Sequence, residues 1–364
     1  MKRFERKINR KFFLQISTLS VLSLVGCAVP ESSAVASSNE SSGAASENDV
    51  PVFPLADFSA MDGSGTLLAY TAEDILPESP WQTSWSLSSL PVYKNSLVST
   101  DGTGIPAQVD EAAMQKRILE KFKLWGLSEA DVSLQADRNA GDNTLQRLYF
   151  NTSDVAMEVD AQLNVSATLA QPISFPKGIK GIQPDSSYSE LLEAAQYLLD
   201  NHKELLDLTE PQIAICGGGY SAMGFPAYSL TFRRSGKQQT PAEQLLAAAY
   251  GTVTVTGNEK GEAVRFAWKH EQTGEYLGEY PIISLKTAQE LLRSAKYLTL
   301  VSDDSEPELS ECNNAELLYL DTPFADYSLP YYRFLIRLSS SASETDSALH
   351  PYGIFYVCAV KSDL

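Results

Sequence analysis

Serine nucleophiles act from a strained elbow, Gly-x-Ser-x-Gly, with a base close by. The nearest stretch here is Gly219-Tyr220-Ser221-Ala222-Met223-Gly224, one residue too long. It follows a strand-like run but opens no helix, so residues 217–219, all glycine, read instead as a turn that needs positive φ. Cys216 beside it is a second candidate nucleophile, and nothing near it in sequence supplies a base. A metal site needs clustered ligands at short spacing. The three histidines, His202, His270 and His350, each stand alone, and neither CxxC nor HxxxH occurs. The densest acidic run, Asp303, Asp304, Glu306 and Glu308, lacks the glycine of a calcium loop and is interrupted by Pro307. A phosphate loop joins glycines to Lys and Ser/Thr, but residues 217–219 have no Lys and Ser235-Gly236-Lys237 lacks the glycines. The residues therefore predict no catalytic constellation, no metal and no cofactor, although carboxylate pairs are too many to test one by one. The remaining signal is aromatic. Trp81, Trp85 and Tyr93, with Tyr220, Tyr228, Tyr331 and Tyr332, either line a groove for peptide or glycan or sit at the edge of the core. The last four are the candidate binding residues.

More specific chemistry stands at the N-terminus. Lys2, Arg3, Arg6, Lys7, Arg10 and Lys11 oppose a single Glu5, and residues 12–25 form an apolar run that ends in Leu24-Val25-Gly26-Cys27. The run is shorter than the roughly 20 residues of a spanning helix. A charged region, an apolar region and a small residue before the cut make a secretory signal. Its four-residue ending resembles the lipobox of bacterial lipoproteins. The resemblance implies that 1–26 is a signal peptide and that Cys27 carries diacylglycerol. It also implies that the mature protein is lipid-anchored at the outer face of the cell membrane. An uncleaved membrane anchor is the other reading.

Composition narrows the partners. The chain of 364 residues has 46 acids against 28 Lys and Arg, a formal charge of −18. Such a field repels phosphate, so nucleic acid is excluded as a partner of the net charge. A hydrophobic content of 43% is enough to bury a sizeable core. With Cys27 assigned to lipid, Cys216, Cys312 and Cys358 remain, so at most one disulfide can form and this is not a disulfide scaffold. Cys358, inside an apolar strand pattern, reads as a small core residue.

Several elements must hold these residues. Residues 27–64 are acidic and rich in Ser, Ala and Glu, the composition of a tether between lipid and folded body. Leu90-Pro91-Val92-Tyr93 reads as an edge strand, where proline is tolerated. Helical spacing predicts a helix over 109–125, stopped by Gly126, then a three-strand meander over 144–169. Ser187 with Glu190 and Thr240-Pro241 with Glu243 are capping boxes that open two more helices. A hairpin is expected around Gly257-Asn258, a helix over 285–298, and strands over 315–320, 331–338 and 353–361. The expected fold class is α+β, built of helix-plus-antiparallel-sheet units at 65–180, 181–270 and 271–364. A helix on one face of a small sheet buries one apolar stripe against one apolar face.

Gly278-Glu279-Tyr280-Pro281-Ile282-Ile283-Ser284, leading into that last helix, resembles the start of PepSY-like modules and of YycH/YycI-type regulators of a membrane histidine kinase. Leu329-Pro330-Tyr331-Tyr332-Arg333-Phe334 is similar to strands of uncharacterised lipoproteins from low-GC Gram-positive bacteria. These resemblances imply an extracytoplasmic binding or regulatory module with a membrane or cell-wall protein partner. A solute-binding lipoprotein of a transporter and a cell-envelope hydrolase are the alternatives.

Overall fold

The computed structural model describes residues 51–362, apart from 59–64, 76, 96, 100–101, 107, 129–130, 218–228, 236–238, 271–273, 303–305, 321 and 340–348. The expected signal segment, Cys27 and most of the expected tether lie outside the described residues. Two strands come first, β1 (Thr66–Ala69) and β2 (Ser89–Lys94). Helix α1 (Glu111–Lys121) starts at Asp110, whose carboxylate accepts from the Ala113 amide. It runs into a 3-10 turn that Gly126 ends at φ 68°. Strands β3 (Gln135–Arg138), β4 (Leu145–Asn151), β5 (Val155–Asp160) and β6 (Val165–Ile173) follow. Helix α2 (Tyr188–Asn201) opens on the expected Ser187/Glu190 box and is followed by the short α3 (Lys203–Leu206). Then come β7 (Pro211–Cys216), β8 (Leu230–Arg234) and α4 (Pro241–Ala249), the last with its Thr240/Glu243 box and Pro241 in the first turn. Each such cap satisfies otherwise orphaned amides and stabilises by ~1 kcal/mol. The hairpin β9 (Thr252–Gly257) and β10 (Ala263–Trp268) leads to β11 (Glu275–Pro281) and α5 (Leu285–Arg293). The chain closes with β12 (Leu298–Thr299), β13 (Glu306–Pro307), β14 (Ala315–Tyr319), β15 (Tyr327–Ser328), β16 (Pro330–Ser339) and β17 (His350–Cys358). The fold is α+β, and every strand ladder is antiparallel.

The largest sheet has eight strands in the order β3-β4-β5-β6-β10-β9-β8-β7. Read from either edge it gives the same plan: a helix, then four antiparallel strands, with α4 inserted between β8 and β9. The two fourth strands meet at the centre, where Trp268 faces Val165 and Phe266 faces Ala167. The expected units at 65–180 and 181–270 thus do not stand as separate sheets. Both would leave an unpaired edge at β6 and β10, and joining them removes it. Strand alternation sends Phe150, Met157, Val165, Phe232, Val255 and Phe266 to one face, where α1 and α2 cover them in a single core. Trp268 is the largest side chain of that core. Its indole N–H donates to the Leu206 carbonyl at 3.1 Å, and its ring meets Trp125 edge-on at 5.6 Å.

The C-terminal part centres on the long pair β16–β17. Each outer lane is shared by two short strands: β1 and β12 flank β17, and β13 and β14 flank β16. Strand β1 therefore belongs to this sheet and not to the N-terminal unit in which the 65–180 boundary placed it. Strand β2 also lies here, between β11 and β15. It is the middle strand of three, not an edge strand. Proline is accommodated because β15 pairs only with Tyr93 and Lys94, leaving Pro91 a ladder partner on the β11 side alone. The expected 285–298 helix stops at Arg293. Ala295 takes φ 57°, and Leu298 and Thr299 pair with Tyr356 and Phe355. Tertiary pairing here outweighs a helical pattern that continues in sequence. Helix α4, inserted in the first sheet, packs Leu245, Leu246 and Tyr250 into the second core beside Ala288, Leu292 and Phe334. Tyr250 also shares a 2.7 Å hydrogen bond with Ser328.

Candidate functional site

Alternation along the eight strands leaves the face opposite α1 and α2 to polar side chains. Arg147, Glu158, Ser166, Arg265, Thr254 and Arg233 all point there, spaced across six strands. On β9 the sequence Thr252-Val253-Thr254-Val255-Thr256 makes the rule visible. The valines are fully buried and the threonines are partly exposed. Thr231 and Thr254 hydroxyls lie 3.5 Å apart across β8 and β9.

Charge on this face is ordered around Glu158. Arg147 donates to Glu158 from Nη1 and to Asp137 from Nε, both at 3.0 Å, and its guanidinium lies 5.4 Å from the Tyr149 ring. Ser166 donates to the other Glu158 oxygen at 3.1 Å, and Arg265 Nη2 is 3.8 Å from it. Arg233 lies against Gln212. The Gln212 amide oxygen, turned toward it, accepts from Nε at 2.7 Å. A shallow recess of about 210 Å³ opens between β4, β5, β6 and β10, lined among others by Arg147, Glu158, Asp160, Ser166 and Arg265. Asp160 closes its end by accepting from the Gln162 and Asn164 amides and from the Asn164 side chain. Burial pushes the Asp160 carboxyl up to about 7 against those three donors. The arrangement is a polar, hydroxyl-rich surface with three arginines on a chain whose net charge is strongly negative.

The sequence candidates fall elsewhere. Tyr331 and Tyr332 are 1% and 4% exposed and point to opposite faces of β16. Tyr332 joins the core with Phe334, its hydroxyl donating to the Ile283 carbonyl at 3.0 Å, while Tyr331 packs with Val92 and Leu329. They share no groove, because neighbours on a strand cannot line one surface. Tyr220, Tyr228 and Ser221 lie outside the described residues, as do Asp303 and Asp304. Trp81 packs edge-on against Tyr332 at 5.9 Å, and Tyr93 meets Tyr276 at 5.7 Å. Cys216, Cys312 and Cys358 are buried free thiols. Burial pushes the Cys216 thiol up to about 12, which makes it a poor nucleophile at neutral pH.

The histidines lie on separate elements. His202 caps α2, its amide donating to the Leu198 carbonyl at 2.8 Å. His350 sits 3.1 Å from Arg337. His270 follows β10, where burial and the nearby Arg117 and Lys121 push it down to about 4. Among the described residues no three His, Cys, Asp or Glu side chains gather as a metal site requires.

The arginine face was not among the sequence candidates. Its signal was present in the alternating threonines of 252–256 and in the polar positions of 145–151 and 155–160, which strand periodicity alone assigns to one side.

No protein-family model matches the chain, and no curated protein matches it. Among solved structures, an uncharacterised protein from Eubacterium rectale is similar over 76% of this chain and 84% of that one, at 10% identity and a TM-score of 0.34.

Proposed function

We propose that this chain is a lipid-anchored extracytoplasmic protein that works as a non-enzymatic binding or regulatory module. Cys27 carries the diacylglycerol anchor, and the uncovered face of the eight-stranded sheet meets a protein partner at the membrane or cell wall. The observation that carries this reading is that an acidic chain sets Arg147, Arg233 and Arg265 on the sheet face opposite α1 and α2, where Asp137 and Glu158 meet only Arg147 and Arg265. That charge pattern fits a partner surface bearing carboxylates, which arginine engages in paired hydrogen bonds. Antiparallel sheets throughout favour this reading over a transporter's solute-binding protein, which is usually α/β.

The test is crosslinking and recovery from intact cells, with wild type and Cys27→Ala side by side. The proposal predicts one protein recovered with the wild type and lost with the unlipidated form. Equal recovery with both, or a copurifying small molecule with no protein, contradicts it.

A further inference from the structure

The two halves of the eight-stranded sheet close their last hairpins with the same turn. Between β5 and β6, Asp160 Oδ1 accepts from the Gln162 and Asn164 amides, both at 2.9 Å. Between β9 and β10, Asn258 Oδ1 accepts from the Lys260 and Glu262 amides at 2.9 and 3.1 Å. The backbone repeats as well. Leu163 and Gly261 take φ of 62° and 80°, and each donates its amide at 2.9 Å to the carbonyl of Asp160 or Asn258 respectively. Two residues earlier, Glu158 lies opposite Ser166, and its counterpart Thr256 lies opposite Arg265. The second half thus has a hydroxyl and an amide where the first has two carboxylates. The hydrogen bonds of this turn do not need a charge at Asp160, and desolvation opposes one there.

What surrounds Asp160 gives the carboxyl a use. It stands directly across the ladder from Arg147, whose guanidinium bonds Glu158 and Asp137. The charged groups that share its recess are Arg147 from β4, Glu158 from β5 and Arg265 from β10. The loop into β6 and β6 itself add the neutral Asn164, Val165 and Ser166. Burial, with a smaller push from Glu158, raises the Asp160 carboxyl to about 7 against its three N–H donors. While it keeps its proton, the two arginines of the recess share that recess with one carboxylate, Glu158. Once the proton leaves, they share it with two.

We infer that Asp160 is a proton switch on the arginine face, which holds an acidic partner while Asp160 is protonated and loosens its hold when Asp160 ionises. The inference rests on the reading of that face as a docking surface for carboxylates. An ionised Asp160 competes with a partner carboxylate for the donors of Arg147 and Arg265, and it repels that carboxylate. Binding of an acidic partner therefore favours the protonated group and takes up a proton. By linkage, affinity falls as pH rises through neutrality. Asn258 can do nothing of the kind, because its amide does not titrate in this range.

Calorimetric titration of the full chain with an oligoglutamate peptide, at about pH 6 and about pH 8 and constant ionic strength, tests it. Wild type is expected to bind roughly three- to tenfold more weakly at the higher pH, the order of one added charge at a water-screened site. Asp160→Asn, which places at this turn the residue type that Asn258 places at the other, is expected to bind equally at both. Asp160→Ser, which keeps an acceptor for the turn amides, should do the same. Wild-type affinity that ignores pH, or a fall of equal size in both variants, overturns the switch and leaves the docking surface standing. A peptide that wild type binds at neither pH overturns the docking surface and the switch with it.

Discussion

Arg333 on β16 and Glu316 on β14 are direct cross-strand partners, and Arg333 Nη2 donates to Glu316 Oε1 at 2.6 Å. Arg333 is only 3% exposed. Its second carboxylate is Glu78, from the segment between β1 and β2, at 2.9 Å from Nη1. Glu316 meanwhile accepts from the Glu78 and Ser79 amides at 3.0 and 2.8 Å. One buried guanidinium thus ties the leading segment to the C-terminal sheet.

Removing the partner of a buried charge costs about 3–5 kcal/mol, because the remaining charge is left in a low-dielectric site. Glu316→Ala is expected to destabilise by that amount in urea unfolding. Glu78→Ala should cost less than ~1 kcal/mol, since the Glu78 side chain is 64% exposed and the pair is solvent-screened on that side. Arg333 holds the Glu78 carboxyl below its ordinary range. That contribution is present at neutral pH and is lost as acid protonates the group.

Two partly buried groups near one end of the large sheet should pull stability in opposite directions with pH. Asp160 is raised to about 7. Between about pH 4 and 7 the folded chain keeps a proton that the unfolded chain releases, so stability falls as pH rises. His270 is lowered to about 4. Between about 4 and 6.5 the unfolded chain binds a proton that the folded chain refuses, so stability falls as pH drops. Relative to wild type, Asp160→Asn should gain stability as pH rises from 4 to 7, and His270→Gln should lose it from 4 to 6.5. Each slope is at most ~1.4 kcal/mol per pH unit. Urea midpoints across this range decide it, and slopes of the same sign would contradict the account.

Two glycines separate steric need from backbone need. A Cβ on Gly257 would stand 2.4 Å from the Ile182 carbonyl oxygen, where the 174–187 segment crosses the β9–β10 hairpin. At Gly126 a Cβ meets open space, but φ is 68°. Gly126→Ala should cost about 1 kcal/mol, the penalty of a left-handed position. Gly257→Ala should cost more, and only it should speed amide exchange in the β9–β10 hairpin.

The helix starts were the most legible part of the sequence. Ser187 with Glu190 and Thr240 with Glu243 act within four residues, and local chemistry is enough to place them. The strands of the meander and the 252–268 hairpin were legible from alternation alone. What sequence could not carry was partner choice between strands far apart. Val165 meets Trp268 across about a hundred residues, and β1 reaches β17 across nearly the whole described chain. Tyr331 and Tyr332 looked like groove residues because aromatic side chains serve cores and surfaces alike. Arg147 and Arg265 were overlooked because single arginines inside strands carry no motif, and their common face emerges only when β6 joins β10.

The most direct test of the polar sheet face is photo-crosslinking in intact cells, with a benzophenone amino acid placed at Thr254 and, in a second strain, at Lys116 on α1. The account predicts a discrete protein adduct from Thr254, its loss in the Arg147→Glu, Arg233→Glu, Arg265→Glu triple variant, and no such adduct from Lys116. An adduct from Lys116 alone, or a Thr254 adduct indifferent to the three charge reversals, would contradict it.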